Sequence, residues 1–340
     1  MNTKTVMGLS SSILIVANAG KRRVLTGSGN WRNQIDYRER RHVMNHLFAI
    51  DIGGTFTKFA LVTSQADIVL KEEVPTPVSV EEFSVHVDQV LGRWRRDHQI
   101  EGIAISSPGS VTDAGFVLGH SAVNFIHVVN LRALFRERYG LPVTMENDAN
   151  CAALAERWSG AGAGCDTFAC IVCGTGIGGG IVINGRLHKG ANLHGGEFGY
   201  SLMEGYETWS ERGSSFALTK RLKDEPPHGA AWTGSRVFEE AEKGHAAAEK
   251  SLNQFFHTMA VGIFNLQYML DPEKILVGGG ITRQPSFLQR LQTELDRVMT
   301  AKPIAKVKPT VEVCTHLDQA QLIGAAYVWR KTYGKEDVHV

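Results

Sequence analysis

From Met44 onward the apolar residues fall in two alternating rhythms, which predicts an α/β chain. His46–Ile50 is a short apolar run that suits a strand, Asp51–Thr55 is a glycine turn, and Lys58–Thr63 is a second strand, so the three predict a hairpin. Ser79 with Glu82 makes a capping box, after which Phe83, Val87, Val90, Leu91 and Trp94 recur at helical spacing. Gly102–Ser106 and Gly115–Gly119 suit strands. Asn130 is placed to cap a helix over Leu131–Tyr139 that Gly140 stops. Val143–Met145 is a strand ending at Glu146, Asn147 and Asp148, where a helix begins and runs to about Ser159.

The stretch SGAGAGCD, Ser159–Asp166, reads as a flexible connection, and it divides an α/β lobe at 44–160 from a second at 161–317. Thr167–Cys173 and Gly180–Asn184 are strands flanking a glycine run. The longest helix, Ala246–Leu270, is apolar on most sides, as a helix buried between layers would be. Lys274–Val277 is a strand meeting Gly278–Gly280. A helix, a strand at Val311–Cys314 and a final helix at 318–334 follow. No short-period repeat is present, but a strand–glycine turn–strand unit occurs once in each lobe.

Composition agrees with this division. The chain has 340 residues, enough for two domains, with 43% hydrophobic and 21% charged residues, so buried cores are expected. The net charge of +1 is unevenly spread: residues 1–43 carry +6 and the rest carries −5. A mildly acidic body argues against nucleic-acid binding, and no run reaches the ~20 apolar residues of a membrane helix. The five cysteines, Cys151, Cys165, Cys170, Cys173 and Cys314, are irregularly spaced and read as core thiols of a cytoplasmic protein. Cys170 and Cys173 lie three apart on one strand and would face opposite ways. Residues 1–43 hold a weak signal-like stretch with Ala17-Asn18-Ala19. We expect an extension that is disordered or precedes the native start, rather than a basic tail that binds a partner.

Two glycine turns carry the candidate chemistry: Asp51-Ile52-Gly53-Gly54-Thr55 and Gly174-Thr175-Gly176-Ile177-Gly178-Gly179-Gly180. Backbone N–H groups in such turns form anion cradles, and the absent side chains let phosphate oxygens approach. Facing each other, the two could clamp a nucleotide's phosphates, with Asp51 as the carboxylate for Mg²⁺, directly or through water. The second turn also matches GxGxxG, but it leads into a strand, where a dinucleotide fingerprint would open a helix. Asp148, where a strand gives way to a helix, would ordinarily be a helix cap. A carboxylate there could also take the proton of an attacking hydroxyl.

DIGGT, SPG at Ser107–Gly109, ENDAN at Glu146–Asn150, GTGIGGGIV, GGEFG at Gly195–Gly199, LVGGG at Leu276–Gly280 and LIGAA at Leu322–Ala326 occur in this order. Together they resemble the ROK family, in the actin/hexokinase-like (ribonuclease H-like) ATPase superfamily, from Met44 to about Trp329. The resemblance implies two lobes closing on a ligand cleft, with the C-terminal helix packed back on the first lobe. It implies a cytoplasmic, homodimeric kinase that uses ATP and Mg²⁺ to phosphorylate a small-molecule sugar at its 6-hydroxyl. Asp148 would be the base. Asp51, Gly53, Gly54, Thr55, Lys58, Gly174, Thr175, Gly176, Gly279 and Gly280 would bind ATP, and Gly109, Asn124, Asn147, Glu197 and Tyr200 would bind the sugar.

There are departures from the family pattern. Lys58 stands two places beyond the usual lysine. Tyr200 stands where many members have a zinc-binding histidine, and 202–218 holds no cysteine, so no zinc site is expected. A further sugar-binding glutamate would be Glu207 or Glu211. The zinc-free pattern resembles β-glucoside kinases and glucokinases. The alternatives are an N-acetylmannosamine-type kinase and a sugar-sensing transcriptional regulator, though 1–43 shows no helix-turn-helix pair.

Overall fold

The computed structural model describes residues 45–226 and 231–334, together with the backbone of 15–18, 21–25 and 31–33. Those three short stretches are strands β1 (Ile15–Asn18), β2 (Lys21–Leu25) and β3 (Trp31–Asn33), paired antiparallel in that order. The rest of the expected 1–43 extension, and Met44 as a domain start, lie outside the described residues.

The body contains two sheets of one design. The first is built from β4 (His46–Ile52), β5 (Phe56–Val62), β6 (Ile68–Pro75), β7 (Ile100–Ser107) and, after the small hairpin of β8 (Ser110–Val111) and β9 (Val117–Leu118), β10 (Val143–Asn147). Helices α1 (Val80–Trp94), α2 (Leu131–Tyr139) and α3 (Asp148–Ser159) are interleaved with them. The strand order is β10-β7-β4-β5-β6, with β4–β5–β6 antiparallel and β4, β7 and β10 parallel.

The second sheet begins with β11 (Phe168–Cys173), β12 (Ile177–Ile183) and β13 (Arg186–Leu187). A hairpin of β14 (Leu202–Glu204) and β15 (Glu207–Thr208) and helices α4 (Trp209–Gly213), α5 (Ser215–Lys220), α6 (Gly234–Glu242) and α7 (Ala246–Leu270) intervene. Strand β16 (Lys274–Gly278), helix α8 (Phe287–Ala301) and strand β17 (Val311–Val313) complete it, and α9 (Ala320–Tyr333) ends the described chain. Its order, β13-β12-β11-β16-β17, repeats the first sheet's pattern of parallel and antiparallel pairs. The recurring strand–glycine turn–strand unit is the first hairpin of each sheet.

Alternation along β4 explains why its seven residues are all buried. Phe48, Ile50 and Ile52 face α1 and α2 in one core, with Phe83, Val87 and Phe135. Leu47 and Ala49 face the other way, with Ala60 and Ala104, against Cys151 of α3 and Leu322, Ala325 and Trp329 of α9. The second sheet does the same: Ile171 and Cys173 join the α7 core, while Phe168 and Cys170 pack on Ala153 of α3. Cys170 and Cys173 thus lie in different cores, as their spacing requires, and all five cysteines are free and buried. Helix α3 is therefore shared, with Cys151 on the first sheet's side and Ala153 on the second's.

Close approach here depends on glycine. A Cβ on Gly324 of α9 would lie 1.7 Å from the Cys151 carbonyl oxygen, so backbone meets backbone where α9 crosses α3. Gly324→Ala is therefore expected to destabilise the protein by about 1–3 kcal/mol, the usual cost of overpacking. A denaturant melt with an unchanged midpoint would refute that.

Helix ends follow the sequence signals closely. Asn130 accepts from Ala133 N, and Gly140 takes the left-handed conformation at φ 64°. Ser79 accepts from Glu82 N, but the Glu82 carboxylate reaches Val78 N instead of closing the box on Ser79. The 115–119 strand shortens to Val117–Leu118. Among the described residues no helix is long and apolar enough to cross a membrane.

Candidate active site

Asp51 and Lys58 are register partners across the β4–β5 hairpin, on the face that carries Ala49 and Ala60. The Asp51 carboxylate is buried. Its Oδ2 lies 3.2 Å from Lys58 Nζ, and its Oδ1 accepts from Ser106 Oγ at 3.0 Å. The turn between the strands is held by Gly53 N donating to Phe56 O (3.1 Å) and Thr76 Oγ1 donating to Gly53 O (2.6 Å). Gly54 and Thr55 are exposed, and among the described residues their N–H groups have no hydrogen-bond partner.

In the second turn, Gly174 N donates to Gly176 O (2.9 Å) and Ile177 N to Ser210 Oγ (2.9 Å), and among the described residues the N–H groups of Thr175 and Gly176 have no hydrogen-bond partner. Only the front of this glycine run is turn. A Cβ on Gly179 would strike the Phe198 ring at 2.3 Å, and one on Gly180 would meet Ala153 of α3 at 2.7 Å. The rear glycines are thus packing residues, a division that the motif alone does not reveal. The run enters β12, antiparallel to β11, so the dinucleotide pattern is absent.

Asn147, not Asp148, caps α3: its Oδ1 accepts from Asn150 N at 3.0 Å. Its Nδ2 donates to Gly109 O (3.1 Å) and to Asp148 Oδ1 (3.0 Å). Asp148 Oδ1 also accepts from Ala149 N (2.8 Å), so both of these hydrogen bonds fall on one oxygen, and among the described residues no other residue donates to Oδ2. Burial pushes the Asp148 carboxyl up to about 6, against the pull of the Ala149 N–H, and the nearby charges of Asp51 and Glu197 add to the rise. First-lobe Asp51 and second-lobe Glu197 therefore both bear on the head of α3.

Glu197 is positioned by glycines. Gly196, at φ 90°, lies against the Gly179 carbonyl, and a Cβ on Gly199 would fall 2.2 Å from the Ile177 oxygen. The GGEFG segment is thereby fastened to the second turn. Gly109, at φ 88°, has no room for a Cβ beside Val117. Gly54 approaches Ala122, in the loop that carries Asn124. Asn124 and Tyr200 themselves are exposed, and their side chains have no hydrogen bond to Asn147, Asp148 or Glu197.

Lys58, Gly279 and Gly280 are brought together on a cavity of about 270 Å³ between the sheets, with Arg283, Cys314 and Gln321 also in its wall. Gly279 needs its φ of 107°, because a Cβ would lie 2.0 Å from Cys173 O. Of the two candidate glutamates, Glu211 accepts from Thr208 N and Oγ1 (each 2.8 Å) in a capping box that lowers its pKa, and Glu207 pairs with Arg212. The buried Trp209 fills the region between, against Gly262 and Phe198. Among the described residues no group of three or more His, Cys, Asp or Glu could hold a metal ion.

Motif reading missed Ser106, which holds Asp51, and Lys189, and it gave no role to Glu146, the partner of Lys189 beside Asn147. Ser106 could have been found from the alternation of β7, whereas Lys189 had no local signal.

A β-glucoside kinase of Listeria monocytogenes is 34% identical over 83% of this chain and 96% of its own. One from Klebsiella pneumoniae is 31% identical over 86% and 98%. Among solved structures, a ROK family protein from Streptococcus pneumoniae in complex with sucrose superposes with a TM-score of 0.78 at 34% identity, covering 84% of this chain and 98% of that one. A ROK family glucokinase from Streptomyces griseus, in complex with glucose and AMPPNP, gives 0.72 at 27% identity, covering 84% and 100%. The family model matches residues 47–332, and with two sheets of one topology around a shared helix headed by Asp148, the chain belongs to the ROK family.

Proposed function

We propose that this ROK family enzyme is a sugar kinase that transfers the γ-phosphoryl group of ATP to the 6-hydroxyl of a hexose or β-glucoside. The observation that carries this is the state of Asp148: Asn147 and Ala149 both donate to one carboxylate oxygen, no other described residue donates to the second, and the pKa is raised to about 6. Such a group is ionised at neutral pH yet basic enough to accept a hydroxyl proton as the O–P bond forms. The hydroxyl oxygen becomes the phosphate ester oxygen, its proton passes to Asp148 Oδ2, and ADP leaves.

The open N–H groups of Gly54, Thr55, Thr175 and Gly176 are the donors we assign to the phosphates, with Lys58, Gly279 and Gly280 at the nucleotide cavity. Gly53 and Gly174 shape the two turns. Asp51, a buried carboxylate at the strand end that opens into the first turn, is assigned to Mg²⁺, directly or through water, with Lys58 beside it. When bound, the ion would offset the charge of the phosphates. Glu197, Asn147, Gly109, Asn124 and Tyr200 are assigned to the sugar, and no zinc is assigned, because Tyr200 stands where the family's histidine would and 202–218 holds no cysteine. Five free thiols fit a reducing, cytoplasmic setting, and we retain the homodimer.

The test is a coupled ADP-release assay with glucose, fructose, N-acetylmannosamine, N-acetylglucosamine, gentiobiose and cellobiose. Glucose or the two β-glucosides should give the highest kcat/KM. A preference for an N-acetylated hexosamine would overturn the substrate class, and no stimulation by any sugar would overturn the kinase.

A further inference from the structure

We infer that Lys189 is a positioning residue that sets the sugar-binding loop of the second lobe against the strand carrying the base, an inference that rests on the roles proposed for Asp148 and Glu197. Lys189 follows β13 and opens the segment leading to Glu197. Its ammonium nevertheless leaves its own lobe, donating to Glu146 Oε2 at 3.0 Å and to Val111 O at 2.8 Å, both in the first.

Glu146 is buried, and its other oxygen, Oε1, accepts from Asn147 N (2.8 Å) and Asn150 Nδ2 (3.1 Å). One carboxylate therefore joins the backbone of the helix cap, the first turn of α3 and a lysine from the opposite lobe. The chain between Lys189 and Glu197 has little slack. Gly195 N donates back to Lys189 O at 2.8 Å, and Gly190 and Leu193 take positive φ values of 71° and 62° to close the loop. Gly196 then rests on β12 through the Gly179 carbonyl. The separation of Glu197 from Asp148 is thus set by a short, closed loop anchored at the ammonium.

Charge adds a second reason for a lysine. Asp51, Glu146 and Asp148 all act electrostatically on the Cys151 thiol, and Asp51 and Glu197 act on Asp148, so four carboxylates share this region. Two have a cation within 3.2 Å, Asp51 by Lys58 and Glu146 by Lys189, while among the described residues Asp148 and Glu197 have none. Lys189 thereby neutralises Glu146, to which the proposed reaction gives no chemical role, without pairing with Asp148 or Glu197.

The test compares the parent with Lys189→Met and Lys189→Arg in the full chain, using the best sugar of the panel. Lys189→Met should raise the sugar KM about tenfold or more while the ATP KM stays within about twofold, because the disturbance lies on the sugar side. Lys189→Arg, which can span the same gap with a cation, should recover most of that loss. Glu146→Gln serves if Lys189→Met does not fold, and should shift the sugar KM in the same direction. Equal changes in both KM values, or none, would overturn the inference and leave the kinase standing. A parent that neither phosphorylates a sugar nor binds one by calorimetry would overturn both.

Discussion

Asp148→Asn is expected to lower kcat roughly a thousandfold while sugar and ATP binding stay within about tenfold, since a general base acts on the transition state more than on the ground state. Asparagine keeps the acceptor that Asn147 and Ala149 require at Oδ1 and removes only the basicity of the other atom. Retention of more than a few per cent of parental kcat would exclude Asp148 as the base. The raised pKa adds two readouts. With the sugar varied at saturating MgATP, kcat/KM should fall roughly tenfold per pH unit below about 6, as the carboxylate takes up its proton. For stability the sign runs the other way. A carboxyl whose pKa is about 6 in the folded state, against 3.8 ordinarily, favours the fold most when protonated, and that contribution is lost as pH rises through about 6. Asp148→Asn should therefore melt at or above the parent at pH 8, with the difference vanishing toward pH 4. A variant less stable than the parent at pH 8 would contradict the desolvation that underlies the assignment.

The second large effect is expected at Glu156. This side chain of α3 is fully buried, and its carboxylate accepts from Ala161 N (2.8 Å), Thr315 N (3.0 Å) and His316 N (2.8 Å). Ala161 lies on the connection from α3 to β11, and Thr315 and His316 lie on that from β17 to α9, so both crossings between the lobes are pinned to one group. A Cβ on Gly160 would fall 2.2 Å from Glu156 Oε2, and Ser159 Oγ lies 3.0 Å from His316 Nε2 as a second tie. Glu156→Ala strands three N–H donors at once and should cost about 3–5 kcal/mol, a large part of the stability of a typical domain. Tryptophan fluorescence in urea would measure it, and a loss below about 1 kcal/mol would show that the three bonds contribute little. Glu156 also lies two turns down the helix from Asp148, about 12 Å along the axis. A loosened crossing therefore reaches the catalytic end directly.

Much of the fold was legible in the sequence because its signals are local. The Asn130 cap and Gly140 stop depend on a few neighbouring residues, and the span of α7 follows from its own apolar run. The strand that follows the second glycine turn is likewise visible in the chain itself, which is why a dinucleotide site could be set aside before any geometry was known. Ordered motifs did the same for family membership. What the chain did not show is which neighbours surround each residue. Whether Gly174 or Gly180 meets a ligand depends on α3, which packs against the rear of the run and leaves the front open. The cap passed from Asp148 to Asn147 because the helix begins one residue earlier than an aspartate cap would require.

The sequence by itself determined the elements, the two glycine turns and the order of the family motifs, and it offered Asp148 as a candidate base, since each follows from short-range periodicity, turn chemistry or an ordered motif. The tertiary structure alone decided which carboxylates are neutralised, by Lys58 and Lys189, and which crossings are pinned, by Glu156. It also decided which oxygen of Asp148 is held by Asn147 and Ala149. The physical reason is the same in each case: burial and charge are properties of what surrounds a side chain. For Lys189 and Glu146 those surroundings are assembled from segments 43 residues apart, and for Glu156 and Thr315 from segments 159 residues apart.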